Sequence, residues 1–230
     1  MVTYLKEGMK FCMWHPDVRP VLALVDPELT LGLPSSLTAW TGVDAMVHAI
    51  EGYCVPGFHP LCDGSAIESL SLISKSLYQA VEEPKNLVAR GGMHVGSYLG
   101  GIAFLKGLGL VHAISHMVGA EFNTQHGLTN AIILPVVLRY NLSGMDEKVK
   151  RMSEAMQFEE HSIESFINNI EKMLDRLQIP KSLSEIGVPE DCAERIAEKA
   201  MKDQAYATNP KIASLAEVKE MTLASIKKAR

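Results

Sequence analysis

The residues best suited to metal chemistry lie in two apolar stretches of the chain. The first carries Asp44 and His48, and the second carries His112, His116 and His126 within fifteen positions. A buried imidazole without a partner is costly, so something must satisfy these rings. Asp44 and His48 are four residues apart, as are the first two histidines of the second stretch, and on a helix each pair lies on one face. Imidazole and carboxylate ligands suit Zn(II), Fe(II), Ni(II) or Cu(II), so the pattern indicates a divalent metal site.

Structural roles for the same residues remain open at this level. Thr41 and Asp44 fit a capping box at a helix start, although that role leaves His48 unexplained. Each histidine of the second stretch could instead be a core residue with a satisfied ring. Glu51, three residues after His48, could orient a ligand or form an ordinary salt bridge. Five candidate ligands compete for about four positions, and residue types alone do not choose among them.

Composition narrows the class of protein. The chain has 230 residues, 47% of them hydrophobic and 21% charged, with a net charge of −5 and no Lys/Arg block, which argues against a nucleic-acid partner. The N-terminus lacks an apolar signal segment, and the apolar region from 91 to 111 contains Lys106 and many glycines, which favours a packed buried helix pair over a membrane span. The four cysteines form no CxxC pair and are typical of reduced thiols in a cytoplasmic protein: Cys12, Cys54, Cys62 and Cys192.

The apolar pattern predicts an all-α fold preceded by one short strand. Residues 21–25, an apolar run closed by Asp26-Pro27, predict the strand, and 34–36 give a helix-start signal. Pro135 predicts a kink or an early break in its helix. We expect a lead-in over 1–30 and one helical domain over 31–230, with the charged helices outside. The predicted helices are 41–53, 60–81, 87–105, 109–120, 127–140, 146–156, 162–177, 182–186, 190–202 and 215–228.

Four strings in the chain resemble the iron-containing (group III) alcohol dehydrogenase family. They are VDPELT at 25–30, LTAWTGVDAMVHAIEGY at 37–53, GLGLVHAISHMVGAEFNTQHGLTNAIILP at 107–135 and ATNP at 207–210, and they occur in family order. The resemblance implies the helical metal-binding domain of the dehydroquinate synthase-like fold. Carried over by motif, it implies Asp44, His48, His112 and His126 as metal ligands, and places His116 beside the substrate and the nicotinamide.

The function that the resemblance implies is hydride transfer between an alcohol or carbonyl substrate and NAD(P). A divalent metal, Fe(II) with Zn(II) as the alternative, would act as a Lewis acid, and His116 as a proton relay or orienting group. The sequence shows no unit of strand, Gly-rich turn and helix, so we expect the family's N-terminal nucleotide-binding domain to be absent and residues 1–30 to be a remnant of its edge. The expected partners are a small alcohol or carbonyl substrate and a homo-oligomer or a separate nucleotide-binding protein, with no nucleic acid and no membrane.

Two other functions stay possible on the residues. One is a metal-binding helical module without catalysis, and the other is a zinc metallohydrolase, which has the ligand types but lacks an HExxH base. Among the remaining histidines, His15, His59 and His161 are expected at the surface. For His94, little in the sequence indicates a position near the metal site. Glycines 96 and 100 predict close helix packing.

Overall fold

A computed structural model describes residues 2–4, 6–11, 15–18 and 20–230. Within them, an antiparallel hairpin of β1 (Val2–Tyr4) and β2 (Met9–Phe11) precedes the helices, with Val2 opposite Phe11. The α-helices are α1 (Ser35–Cys54), α2 (Pro60–Glu82), α3 (Leu87–Ala103), α4 (Leu110–Phe122), α5 (His126–Asn141), α6 (Asp146–Ala155), α7 (Ile163–Arg176), α8 (Ala193–Ala200), α9 (Gln204–Ala207) and α10 (Leu215–Lys227). The expected all-α class is confirmed.

The prediction of a strand over 21–25 is wrong. This segment has no strand partner among the described residues, and Leu22 and Leu24 are 77% and 83% exposed. An apolar run becomes a strand only when a neighbouring backbone completes its hydrogen bonds, which residue composition cannot supply. The described strands lie earlier in the lead-in, over Val2–Tyr4 and Met9–Phe11.

Helix α1 is the central helix of the fold and begins earlier than the sequence predicts. It starts at Ser35, directly after Pro34, and packs against α2, α3 and α5. Thr41 therefore lies inside the helix, where its hydroxyl donates to the Leu37 carbonyl at 2.7 Å. The capping-box alternative for Thr41 and Asp44 is wrong, because a helix interior has no free first-turn amides to cap.

Close packing of α3 against its neighbours depends on its glycines. A Cβ at Gly96 would lie 2.8 Å from Ile73 Cγ1 on α2, and one at Gly100 would lie 3.1 Å from the Ala45 carbonyl oxygen on α1. Both approaches are tighter than ordinary van der Waals contact. The predicted role of these two glycines in helix packing is confirmed.

Pro135 predicted either a kink or an early break in its helix, and the break does not occur. Helix α5 runs from His126 to Asn141 with Pro135 inside it, and most of its residues are buried. Proline removes one intrahelical hydrogen bond, but packing of a nearly fully buried helix outweighs that loss.

The outer helices follow the predicted order with local differences. Residues 182–186 form only a 3-10 turn at Ser184–Ile186, and the helix predicted over 190–202 divides into a 3-10 turn at Glu190–Cys192 and α8. Ser214 and Glu217 form a capping box that starts α10.

Three of the four cysteines are buried free thiols, Cys54, Cys62 and Cys192, whereas Cys12 lies outside the described residues. Burial raises the pKa of Cys54 to about 12. Within the described chain, no single helix has both the length and the apolar character to cross a membrane. Helix α3 with its 3-10 extension and helix α4 are long and apolar enough only when they are taken together, and the chain bends by 104° between them.

Candidate metal centre

Three helices converge on one point, and each contributes two polar side chains spaced four residues apart. A helix presents positions i and i+4 on the same face, so each pair points the same way. The pairs are Asp44 and His48 on α1, His112 and His116 on α4, and His126 and Asn130 on α5.

The four predicted ligands lie close together. One ligand atom each from Asp44, His48 and His112 lies within 4.8 Å of the other two. Asp44 Oδ1 is 3.7 Å from His112 Nε2 and 3.6 Å from His126 Nε2. The His48 and His112 rings stack with centroids 4.7 Å apart, and the His112 and His126 centroids are 5.3 Å apart. Three imidazoles and one carboxylate thus face one another across a few ångströms.

The charge states of these groups suit a cation. Burial lowers the pKa of His112 well below its usual value and that of His126 to about 4, so both rings stay neutral near pH 7. Burial alone would raise the pKa of Asp44, but the neighbouring histidines and a hydrogen bond from Asn130 hold it below its usual value. Metal binding requires neutral imidazoles and an ionised carboxylate. The donor set therefore fits a divalent metal.

Glu51 holds the first histidine of α4. Its Oε2 lies 2.7 Å from His112 Nδ1, and its Oε1 accepts a 2.8 Å hydrogen bond from the Val111 backbone N–H. A proton on His112 Nδ1 satisfies Glu51 and leaves the lone pair on Nε2, which lies 3.2 Å from Asn130 Nδ2 and 3.7 Å from Asp44 Oδ1. Burial raises the pKa of Glu51 to about 7. Of the two roles that the sequence left open for Glu51, orienting a predicted ligand is the one its contacts support.

The start of α4 is held by residues from distant parts of the chain. Asn209 Oδ1 accepts a 3.0 Å hydrogen bond from the Leu110 N–H, and the Thr208 hydroxyl exchanges hydrogen bonds with both backbone groups of Leu108. A Cβ at Gly109 would lie 2.7 Å from both Asn209 Oδ1 and Glu51 Oε1. Glycine is thus required there for both oxygens to approach. Sequence reasoning missed Asn209, although the ATNP string contained it.

His116 has a partner of its own. Its Nδ1 lies 2.9 Å from Asp203 Oδ2, and Asp203 Oδ1 accepts from the Ala205 N–H at the start of α9. The His116 ring stacks on His126 with centroids 5.3 Å apart. Asp203 is 87 positions from His116 and belongs to no recognisable motif, so no signal in the sequence could have found it.

Two further residues border the centre. Lys10, on β2, is half-buried, and its Nζ is 3.1 Å from the position of a Cβ on Gly119. Burial lowers the pKa of Lys10, and the negative charge of Asp44 opposes that shift. Gly127 lets α5 approach α1, because a Cβ there would lie 2.4 Å from the Trp40 carbonyl oxygen.

The remaining histidines make contacts elsewhere. His15 and His59 are exposed, as expected, whereas His161 is half-buried with Nε2 3.2 Å from the Phe158 carbonyl oxygen. His94 Nε2 lies 3.3 Å from the Thr30 hydroxyl.

The comparisons with known proteins all indicate the same family. Residues 38–226 match the C-terminal model of the Fe-containing alcohol dehydrogenase family. The chain is 36% identical over 231 residues to 4-hydroxybutyrate dehydrogenase of Cupriavidus necator, covering 96% of this chain and 59% of that protein. It is 35% identical to the NAD-dependent methanol dehydrogenase of Bacillus methanolicus, covering 96% and 60% of the two chains. A solved 1,3-propanediol oxidoreductase superposes with a TM-score of 0.84 at 36% identity, covering 87% and 55%.

The chain therefore belongs to the iron-containing alcohol dehydrogenase family, of which it matches the C-terminal domain. It spans about three-fifths of the length of the curated relatives it matches.

Proposed function

We propose that this chain is the metal-binding part of an NAD(P)-dependent alcohol dehydrogenase. The observation that carries the proposal is the convergence of Asp44, His48, His112 and His126, with the rings of His112 and His126 neutral near pH 7. Family membership supports a metal and a nicotinamide cofactor, since a relative is named as NAD-dependent. The proposed reaction interconverts a small alcohol and its carbonyl form. For this reaction the chain would act together with a nucleotide-binding unit.

The proposed chemistry divides the work among the residues around the centre. When bound, the metal supplies Lewis acidity toward the substrate oxygen, and the nicotinamide supplies the hydride acceptor. Glu51 holds His112 in the orientation that presents Nε2. Asp203 does the same for His116, since a proton on Nδ1 leaves Nε2 free to take the hydroxyl proton during oxidation and to return it during reduction.

We propose Fe(II) as the metal, in keeping with the family, with Zn(II) as the alternative that the same ligands accommodate. Hydrolysis is a weaker proposal, because Glu51, the carboxylate behind His112, is already engaged by that ring and by the start of α4. A cytoplasmic location, a homo-oligomer and a separate nucleotide-binding partner also stay proposals.

Elemental analysis tests the metal centre. Protein loaded anaerobically with Fe(II), or with Zn(II), and then freed of excess ion is expected to retain about one equivalent, whereas Asp44→Ala and His126→Ala lose most of it. His94→Ala is the matched control, since His94 pairs with Thr30, and should retain the metal. Equal metal content in all four proteins would refute the assignment.

Cofactor use separates a dehydrogenase from a metal-binding module without catalysis. Metal-loaded chain, mixed with the N-terminal part of a relative such as the NAD-dependent methanol dehydrogenase of Bacillus methanolicus, is expected to oxidise NADH in the presence of small aldehydes. No NAD(P)H binding and no turnover under these conditions would favour the non-catalytic module.

A further inference from the structure

Asn130 lies among the predicted ligands although no argument from sequence singled it out. It is fully buried on α5, one turn beyond His126. Its Nδ2 donates a 2.5 Å hydrogen bond to Asp44 Oδ1 and lies 3.2 Å from both His112 Nε2 and His126 Nε2. One amide nitrogen therefore contacts three of the four ligand atoms.

The three contacts of Asn130 Nδ2 differ in whether the contacted atom can still bind a cation. Each imidazole Nε2 has a single lone pair, which either an N–H or a cation can take. A carboxylate oxygen has two lone pairs, so Asp44 Oδ1 can accept from Asn130 and bind a cation at the same time. The bond to Asp44 is the one that is compatible with a bound metal.

A purely structural role for Asn130 does not account for its amide oxygen. Asn130 Oδ1 is buried and has no hydrogen-bond partner among the described residues. Buried amides in protein cores normally satisfy both ends. Leucine has the same branched shape and carries no polar atom to leave unpaired, so the contacts that distinguish asparagine at this position are those of its amide nitrogen.

We propose that Asn130 is a positioning residue of the metal centre, whose amide fixes the Asp44 carboxylate so that one oxygen faces the ligand histidines. The inference rests on the proposed metal-binding function. Asp44 is the single anionic ligand, and its side chain is 20% exposed, so without this donor the carboxylate could turn toward solvent. Residues that orient metal ligands commonly change metal affinity by 10- to 100-fold when they are replaced.

The test compares Asn130→Leu with Thr129→Val in the same chain. Thr129 is equally buried on the same helix, but its hydroxyl bonds to Thr124 and to the Gln125 carbonyl, not to the ligands. Dissociation constants for Zn(II) and Co(II) are measured by competition with a chelator. Asn130→Leu is expected to bind both ions about 10- to 100-fold more weakly, and Thr129→Val to stay within about twofold of the parent.

The visible spectrum of the Co(II) protein gives a second readout that a structural role would not move. Release of the Asp44 carboxylate should alter the ligand-field bands in Asn130→Leu and leave those of Thr129→Val unchanged. Asn130→Ser, which is too short to reach Asp44, serves if the leucine variant fails to fold, and the same losses are expected. Parental affinity and an unchanged Co(II) spectrum in a folded Asn130 variant would overturn the inference.

If the proposed metal centre is wrong, the experiments give a different set of results. If the parent chain binds no ion, or if Asp44→Ala binds Zn(II) as tightly as the parent, the proposed function falls and the role of Asn130 falls with it. If Asp44→Ala loses the metal while both Asn130 variants keep it, only the inference about Asn130 is wrong.

Discussion

Glu51 on α1 and His112 on α4 lie 2.7 Å apart, carboxylate oxygen to imidazole nitrogen, and both are almost completely buried. The same carboxylate accepts the Val111 N–H at the start of α4. One side chain therefore caps a helix and fixes the ring of a predicted ligand, which ties the orientation of His112 to the packing of α4 on α1.

Replacement of Glu51 should weaken both functions of that carboxylate. Glu51→Ala is expected to lower metal affinity 10- to 100-fold and to destabilise the fold by about 1–3 kcal/mol, because buried donors lose their acceptor. Glu51→Gln keeps one acceptor oxygen and should cost less in both measurements. Chelator competition and urea unfolding give the two values. Unchanged metal affinity in Glu51→Ala would contradict the orienting role.

Acidification should destabilise the metal-free protein through His126. Its pKa is about 4 in the folded chain, below the value of 6.5 for a free histidine, so the unfolded chain binds more protons between these limits. The free energy of unfolding should therefore fall as the pH drops from about 6.5 to about 4, by up to roughly 3 kcal/mol from this ring. Glu51, with its pKa raised to about 7, acts in the opposite direction.

The pH effect of His126 is isolated by comparison with His126→Gln, using urea unfolding at pH 4.5, 5.5 and 6.5. The parent should lose more stability across this range than the variant does. Parallel curves would show that the ring is not held neutral by burial.

Gly127→Ala should open the contact between α5 and α1. The added Cβ would lie 2.4 Å from the Trp40 carbonyl oxygen, a rigid backbone atom, so the helices must separate. We expect a loss of about 1–3 kcal/mol and weaker metal binding, since His126 is carried on α5. Gly91→Ala on α3 is the control, because its Cβ meets nothing within 4 Å and alanine favours a helix. Equal melting temperatures for the two variants would refute this reading of the contact.

His116→Ala should separate catalysis from metal binding. His116 is engaged by Asp203 and is not among the proposed ligands, so metal content should stay within about twofold of the parent. Turnover with a nucleotide-binding partner should fall by about 10²- to 10⁴-fold, the usual contribution of a proton-transfer group. Asp203→Asn should show a smaller loss with the same metal content. A large loss of metal from His116→Ala would instead make it a ligand.

The sequence by itself predicted the helical class, and the resemblance of its motifs to a known family supplied the residues of the proposed metal centre. Helical periodicity and the spacing of Asp44 with His48 and of His112 with His116 are local properties, set by the geometry of one helix. The order of the motifs also sufficed to identify the family. Local patterns failed where a partner was needed: residues 21–25 have the composition of a strand, yet no described strand pairs with them.

Only the tertiary structure decided which distant side chains meet. Glu51 reaches His112 across 61 positions, Asp203 reaches His116 across 87, and Asn130 reaches Asp44 across 86. These contacts depend on how closely α1, α4, α5 and α9 pack, which glycines 109 and 127 permit by leaving out a Cβ. Periodicity determines which face of a helix a residue occupies, but packing of the assembled core determines what that face touches.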